Sequence, residues 1–182
     1  VDRLRIINSL GQNFRINPNT GTVVDGDLGG VVAVTGTNMD GALNGGATAA
    51  QGTAYVNNAA NNGGITTQYT VDETSDRLFI QNPPNAGTLS APLTLSPTVN
   101  TILGFDIAPG VVTAAGAVSN DAVTSGSGFL LMRSGAATPE SLASVNLVTG
   151  AISNITTITG GASARGLAVQ NPAAMAVVAL SA

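Results

Sequence analysis

Ser144-Val-Asn-Leu-Val-Thr-Gly-Ala-Ile-Ser, residues 144–153, is two short β-type runs joined by a turn, and the chain writes it three times. Arg15-Ile-Asn-Pro-Asn-Thr-Gly-Thr-Val-Val (15–24) and Thr70-Val-Asp-Glu-Thr-Ser-Asp-Arg-Leu-Phe (70–79) follow the same grammar. A β-branched residue precedes Asn17, Asp72 or Asn146, a Thr or Ser lies within the turn, and Gly21, Asp76 or Gly150 leads into the next run. An Asx side chain can bond the turn backbone, and Gly or Asp accepts a positive φ where the strand restarts. Three copies of one hairpin predict blade-like repeats.

Outward from these turns the signals remain β. Leu4-Arg-Ile-Ile, Phe14-Arg-Ile, Thr22-Val-Val, Val31-Val-Ala-Val, Gln68-Tyr-Thr-Val, Arg77-Leu-Phe-Ile, Phe129-Leu-Leu-Met, Ser144-Val-Asn-Leu and Ala151-Ile-Ser-Asn-Ile are short runs bounded by Gly, Asn, Asp or Pro. Helical periodicity is scarce. Thr138-Pro-Glu-Ser-Leu predicts one helical turn, with an N-cap residue followed by Pro at the first helical position. Residues 36–64 and 110–128 are rich in Gly, Ala, Asn and Thr and read as long loops or poorly packed surface strands. Ala173–Ala182 is apolar, too short to span a bilayer, and reads as a closing core strand. The expected fold is all-β: a partial or small β-propeller-like domain built from repeated hairpins, spanning 1–182 as one domain.

Composition narrows the functional classes. The net charge is −4 and only 9% of residues are charged, with six arginines (Arg3, Arg5, Arg15, Arg77, Arg133, Arg165) and no lysine. Nucleic-acid binding needs clustered positive charge, so nucleic acid is not an expected partner. Cysteine and histidine are absent as well as lysine, which removes thiol nucleophiles, Schiff-base lysines and the commonest general base. Ser163 has Gly161 two before it but Arg165 two after, so it does not sit in a nucleophile elbow. The chain reads as a non-enzyme.

Three constellations could still carry chemistry. Asp72, Glu73 and Asp76 could supply a glycosidase-like carboxylate pair, but they occupy a predicted turn, where Asp72 and Asp76 serve turn geometry. Asp25, Asp27 and Asp40, with Asn38 near the last, could offer oxygen ligands to calcium, although no EF-hand loop is present. Solvated loop acids are the plainer reading. Arg3, Arg15 and Arg77 lie on or next to strands and near acids, which predicts cross-strand ion pairs ahead of recognition of an anionic sugar.

With these motifs in view, the chain resembles a bacterial secreted family known only as a domain of unknown function with propeller-like repeats. The resemblance is carried by DRLRI (2–6), GQNFRINPNTG (11–21), DGALN (40–44), AYVNN (54–58), DRLFIQNPPNAGTL (76–89), GFDIAP (104–109), SVNLVTG (144–150) and RGLAV (165–169). Gln81-Asn-Pro-Pro-Asn-Ala-Gly is the most distinctive of them. Relative to that family the chain looks short at its N-terminus, and Val24-Asp-Gly-Asp-Leu echoed by Met39-Asp-Gly-Ala-Leu suggests an insertion. The resemblance implies a fold and an extracellular or cell-surface setting, and brings no activity. The expected role is a structural or interaction module that meets a second copy or another extracellular protein through open strand edges. A carbohydrate- or calcium-binding module is the alternative.

Overall fold

A computed structural model describes residues 3–26, 36–58, 64–113, 120–135, 139–159, 163–164 and 166–170. Eleven strands lie among them: β1 (Leu4–Ile7), β2 (Asn13–Ile16), β3 (Asn44–Gly45), β4 (Gly52–Val56), β5 (Thr67–Asp72), β6 (Arg77–Gln81), β7 (Thr88–Thr94), β8 (Thr101–Ile107), β9 (Ser127–Arg133), β10 (Ser141–Asn146) and β11 (Ile152–Thr157). They form an all-β arrangement of three sheets, β1-β2, β3-β7-β6-β5-β4 and β11-β10-β9-β8. Each of β4–β7 and β8–β11 is an antiparallel meander. None of the sheets closes on itself.

The two meanders share one core. Side chains alternate across a strand, so Tyr69 and Val71, Leu78 and Ile80, Ala54 and Val56 fall on one face of the larger sheet. That face meets Phe105, Ile107, Leu130, Met132, Ala143 and Val145 of the smaller one in a single buried cluster. In β8 the register slips between Ile102 and Gly104. The extra residue resets the alternation, so that Ile102 and Phe105, three apart, both face the core. Glu73 and Asp76 fasten this joint: the Glu73 carboxylate accepts the Ile102 amide at 2.6 Å and the Asp76 carboxylate that of Val99 at 2.9 Å.

The three turns are equivalent. Asn17 Oδ1 accepts the Asn19 amide, Asp72 those of Thr74 and Ser75, and Asn146 those of Val148 and Thr149. Four residues on, Gly21, Asp76 and Gly150 have φ of 69°, 50° and 77°. The Asp72 and Asn146 turns join β5 to β6 and β10 to β11, and the Asn17 turn joins β2 to a single bridge at Val23. Asn8 builds a fourth, shorter turn between β1 and β2, accepting the Leu10 and Gln12 amides.

Several expectations need correction. Residues 36–64 are not merely loop: they contain β3 and the well-buried β4. The helical turn at 138–142 is absent from its described part, because Ser141 and Leu142 open β10. β7 and β8 escaped the sequence reading because Pro92 and Gly104 interrupt them. Pro92 is tolerated because β3 covers only Thr88 and Leu89 on that edge of β7. Of Thr22-Val-Val only the Val23 bridge forms. The Val31–Val34 run and Ala173–Ala182 lie outside the described residues.

The turns give a paired prediction. An added Cβ at Gly21 meets nothing within 4 Å, whereas at Gly150 it strikes the Thr94 carbonyl oxygen. Gly21→Ala should cost about 1–2 kcal/mol, the left-handed backbone penalty alone. Gly150→Ala should cost that and roughly 1–3 kcal/mol more through the clash. Urea denaturation of the two variants checks the ordering, and equal losses would contradict it.

Candidate functional site

β1 and β2 pair so that Arg5 stands directly opposite Arg15 and Ile7 opposite Asn13. Like charges facing across a hairpin repel, and all four side chains fall on the face turned toward the larger sheet. Asp40 resolves the conflict. Its side chain is 0% exposed, that of Arg5 is 4% exposed and that of Arg15 22%. Arg15 grips it in a fork, Nε to Oδ2 at 2.8 Å and Nη2 to Oδ1 at 2.8 Å, while Arg5 Nη1 donates to Oδ2 at 3.0 Å. The bond to Asp40 raises the Arg15 pKa above the ordinary arginine value, against the opposing effect of burial.

Two cations against one anion leave a buried positive excess, which neutral acceptors absorb. Arg5 Nε donates to Tyr55 Oη at 2.9 Å, Nη1 to Asn13 Oδ1 at 2.6 Å and Nη2 to Asn85 Oδ1 at 2.6 Å. The chain of bonds continues across the far face of the larger sheet. Tyr55 donates to Gln68 Oε1 at 2.8 Å, Gln68 Nε2 to Gln81 Oε1 at 3.0 Å, and Gln81 Nε2 to the Pro84 carbonyl at 2.8 Å. Asn13 Nδ2 closes the circuit on the Gly41 and Pro84 carbonyls. No buried side-chain nitrogen or oxygen among the described residues lacks a partner.

Beside this network sits a small apolar cluster of Leu43, Ala50, Phe79 and Leu89, with Ile7 packed on it. Together they attach three distant stretches to the larger sheet: the β1–β2 hairpin, the loop around Asp40 and the QNPPNAG turn. In that turn the Asn82–Pro83 peptide is cis, Pro84–Ala86 is a 3-10 turn, and Gly87 ends it at φ 72°. Its distinctive residues are thereby explained, since Gln81, the Pro84 carbonyl and Asn85 all belong to the network. The DG echo has a reason too: a Cβ on Gly26 would meet the Asp40 backbone at 2.6 Å, and one on Gly41 the Ala86 carbonyl at 2.9 Å.

The sequence candidates fare differently. Asp40 spends both oxygens on arginine, Asp25 Oδ1 accepts the Asn38 amide at 3.2 Å, and Asp27 lies outside the described residues. Among the described residues no three His, Cys, Asp or Glu gather as a metal cluster. Asp72, Glu73 and Asp76 hold the β5–β6 turn and the entry to β8. Arg15 pairs with an acid on a loop, not across a ladder, and Arg77 donates to Thr94 Oγ1 at 2.7 Å. Arg133 pairs with Glu140. Sequence reasoning missed Arg5, Asn13, Gln68 and Gln81. The signal was the β1–β2 hairpin itself, which sets two arginines face to face and demands a counter-charge.

A groove of about 270 Å³ runs beside Arg5, lined by Arg5–Ile7, Gln51–Thr53, Gly104–Phe105 and Gly166–Leu167. These belong to or flank β1, β4 and β8, the first strands of the hairpin and of the two meanders, and the segment that follows β11. That last segment lies on β8, where the Val169 amide donates to Asp106 at 2.6 Å. Among the described residues no helix is long and apolar enough to cross a membrane.

Fold and site thus define an all-β chain of three open sheets, in which a largely buried ion network ties the β1–β2 hairpin and the loop around Asp40 to the larger sheet. It belongs to the family described as Domain of unknown function (DUF4394), whose model matches residues 1–168. No curated protein and no solved structure matches the chain.

Removing one partner of a buried ion group strands the others. Asp40→Asn should therefore cost about 3–5 kcal/mol, whereas Arg77→Met, at the exposed Thr94 contact, should stay within about 0.5 kcal/mol. Denaturant midpoints at constant m-value decide this, and a loss below about 1 kcal/mol for Asp40→Asn would contradict the structural role.

Proposed function

We propose that the chain is a non-enzymatic structural or interaction module of an extracellular or cell-surface protein. It is a propeller-like arc that meets a second copy, or another extracellular protein, through its end faces. The observation that carries this reading is the far face of the β1–β2 sheet. Alternation places Leu4, Ile6, Phe14 and Ile16 together there, with Leu4 54% exposed and the other three half-buried. A contiguous apolar face on a small sheet marks a contact surface.

Three further features support it. First strands around one groove, with units stacked in chain order, suit the propeller-like arc. At the other end of the stack β11 is a border strand of its sheet. It carries no charge, and five of its six residues are exposed, including Ile155. An uncharged border strand is a template for pairing. The extracellular setting rests on the small-residue composition without lysine or cysteine.

Sedimentation of the wild-type chain at micromolar concentration should show reversible association, weakened by Leu4→Lys or by Phe14→Lys without loss of the folded transition. A single monomeric species of 17.9 kDa at every concentration would end the self-association reading.

A further inference from the structure

Between the two meanders, away from the ion network, lies a cavity of about 100 Å³. Its walls include Tyr69, Ile80, Leu93, Val123 and Leu147, and the exposed Ala91, Ala122 and Val148 stand at its mouth. Ala91 holds φ at 47°, a left-handed conformation unusual for alanine, in the stretch where β6 and β7 lose register. The two alanines at the mouth and the irregular β7 leave the space open, where an ordinary side chain would close it.

Among the described residues that line the cavity, Tyr69 alone has a polar side chain. Tyr69 is 1% exposed, and its Oη accepts the Val123 amide at 2.9 Å, which sets the hydroxyl at the Val123 end of the lining. Among the hydrogen bonds of the described residues this oxygen acts only as an acceptor, so the phenol retains a proton to donate. Burial holds the phenol above the ordinary tyrosine range, with the Val123 amide acting the other way. At neutral pH the group is therefore a donor.

We propose that this cavity binds a small neutral organic molecule with an apolar body of a few carbons and one hydrogen-bond acceptor: a short-chain ketone, alcohol or ether. The lining excludes charged ligands, because no lining residue is charged and a buried ion without a partner is strongly disfavoured. The volume excludes sugars and larger ligands. Apolar cavities of comparable size, about 150 Å³, stay dry and accept molecules such as benzene. An acceptor facing Tyr69 adds direction, because a buried donor left unmade costs more than a made bond gains.

The test uses the intact protein and butanone, followed through its amide resonances. Saturable shifts in the millimolar range should centre on Val123, Leu93 and Leu147, and cross-relaxation from the butanone methyl groups should reach Val123 and Leu147. Tyr69→Phe, which keeps the ring but loses the donor together with the acceptor of the Val123 amide, should weaken butanone binding about fivefold. Cyclopentane, which has no acceptor, should bind wild type and Tyr69→Phe alike. Ala122→Leu, a change at an exposed position, should cover the mouth and abolish binding. Linear, unsaturable shifts, or cross-relaxation reaching other residues, would overturn the site. Equal butanone affinity in wild type and Tyr69→Phe would overturn the assigned ligand class.

Discussion

The arrangement around the larger sheet depends on one carboxylate. Arg5 and Arg15 face each other across a two-stranded ribbon, and such a ribbon is marginal by itself even without opposed charges. Asp40, fully buried between them, turns the repulsion into a clamp. Because Asp40 comes from a loop some 25 residues beyond Arg15, satisfying the charge also fixes where that loop must lie. The glycines on either side of it follow from that placement, since backbone passes too closely for a side chain at Gly26 and Gly41.

The two halves of the structure are held by different physics. Between the meanders the contact is apolar and tolerant, a cluster of Val, Leu, Ile and Phe proportional to area removed from water. Across the far face of the larger sheet it is polar and exacting. A buried ion group yields little net stability, because desolvation offsets the attraction. It yields geometry instead: the donors of Arg5 and the amides of Gln68, Gln81 and Asn13 are satisfied in one mutual arrangement. That division leaves the packing between the meanders adaptable while fixing where the hairpin and the loops sit on the larger sheet.

Local chemistry was legible in the sequence and non-local chemistry was not. The Asx turns at Asn17, Asp72 and Asn146 could be read because an Asx side chain bonds an amide two or three residues away. β6 and β9 were legible through their short apolar runs, Leu78-Phe-Ile and Phe129-Leu-Leu-Met, and β5 through Tyr69-Thr-Val, each bounded by turn residues. β4 hid in a stretch dominated by Gly, Ala and Asn, because its burial comes from neighbours that are remote in sequence. β7 and β8 hid behind Pro92 and Gly104, whose cost is removed by an open edge and a bulge. At the site, Asp40 drew notice as a loop acid with oxygen to offer. Its partners are 25 and 35 residues away, beyond what spacing can convey. Gln68 read as an ordinary strand residue, while Tyr55 lay in the Gly/Ala/Asn-rich stretch and Gln81 at the head of the QNPPNAG motif, until the register placed all three on one face.

The central claim is that the network makes the β1–β2 hairpin, the loop around Asp40 and the QNPPNAG turn one cooperative piece with the larger sheet. Native-state hydrogen exchange tests it directly. The amides of Gly41 and Asn44 are bonded to the carbonyls of Asn85 and Gly87 in the QNPPNAG turn, and that of Leu43 to the carbonyl of Gly11 in the hairpin, so together they report on all three stretches. The account predicts that they open at the same free energy as the β5 and β6 amides, in one transition. Exchange of these three amides at a much lower opening free energy, with β5 and β6 still protected, would contradict it.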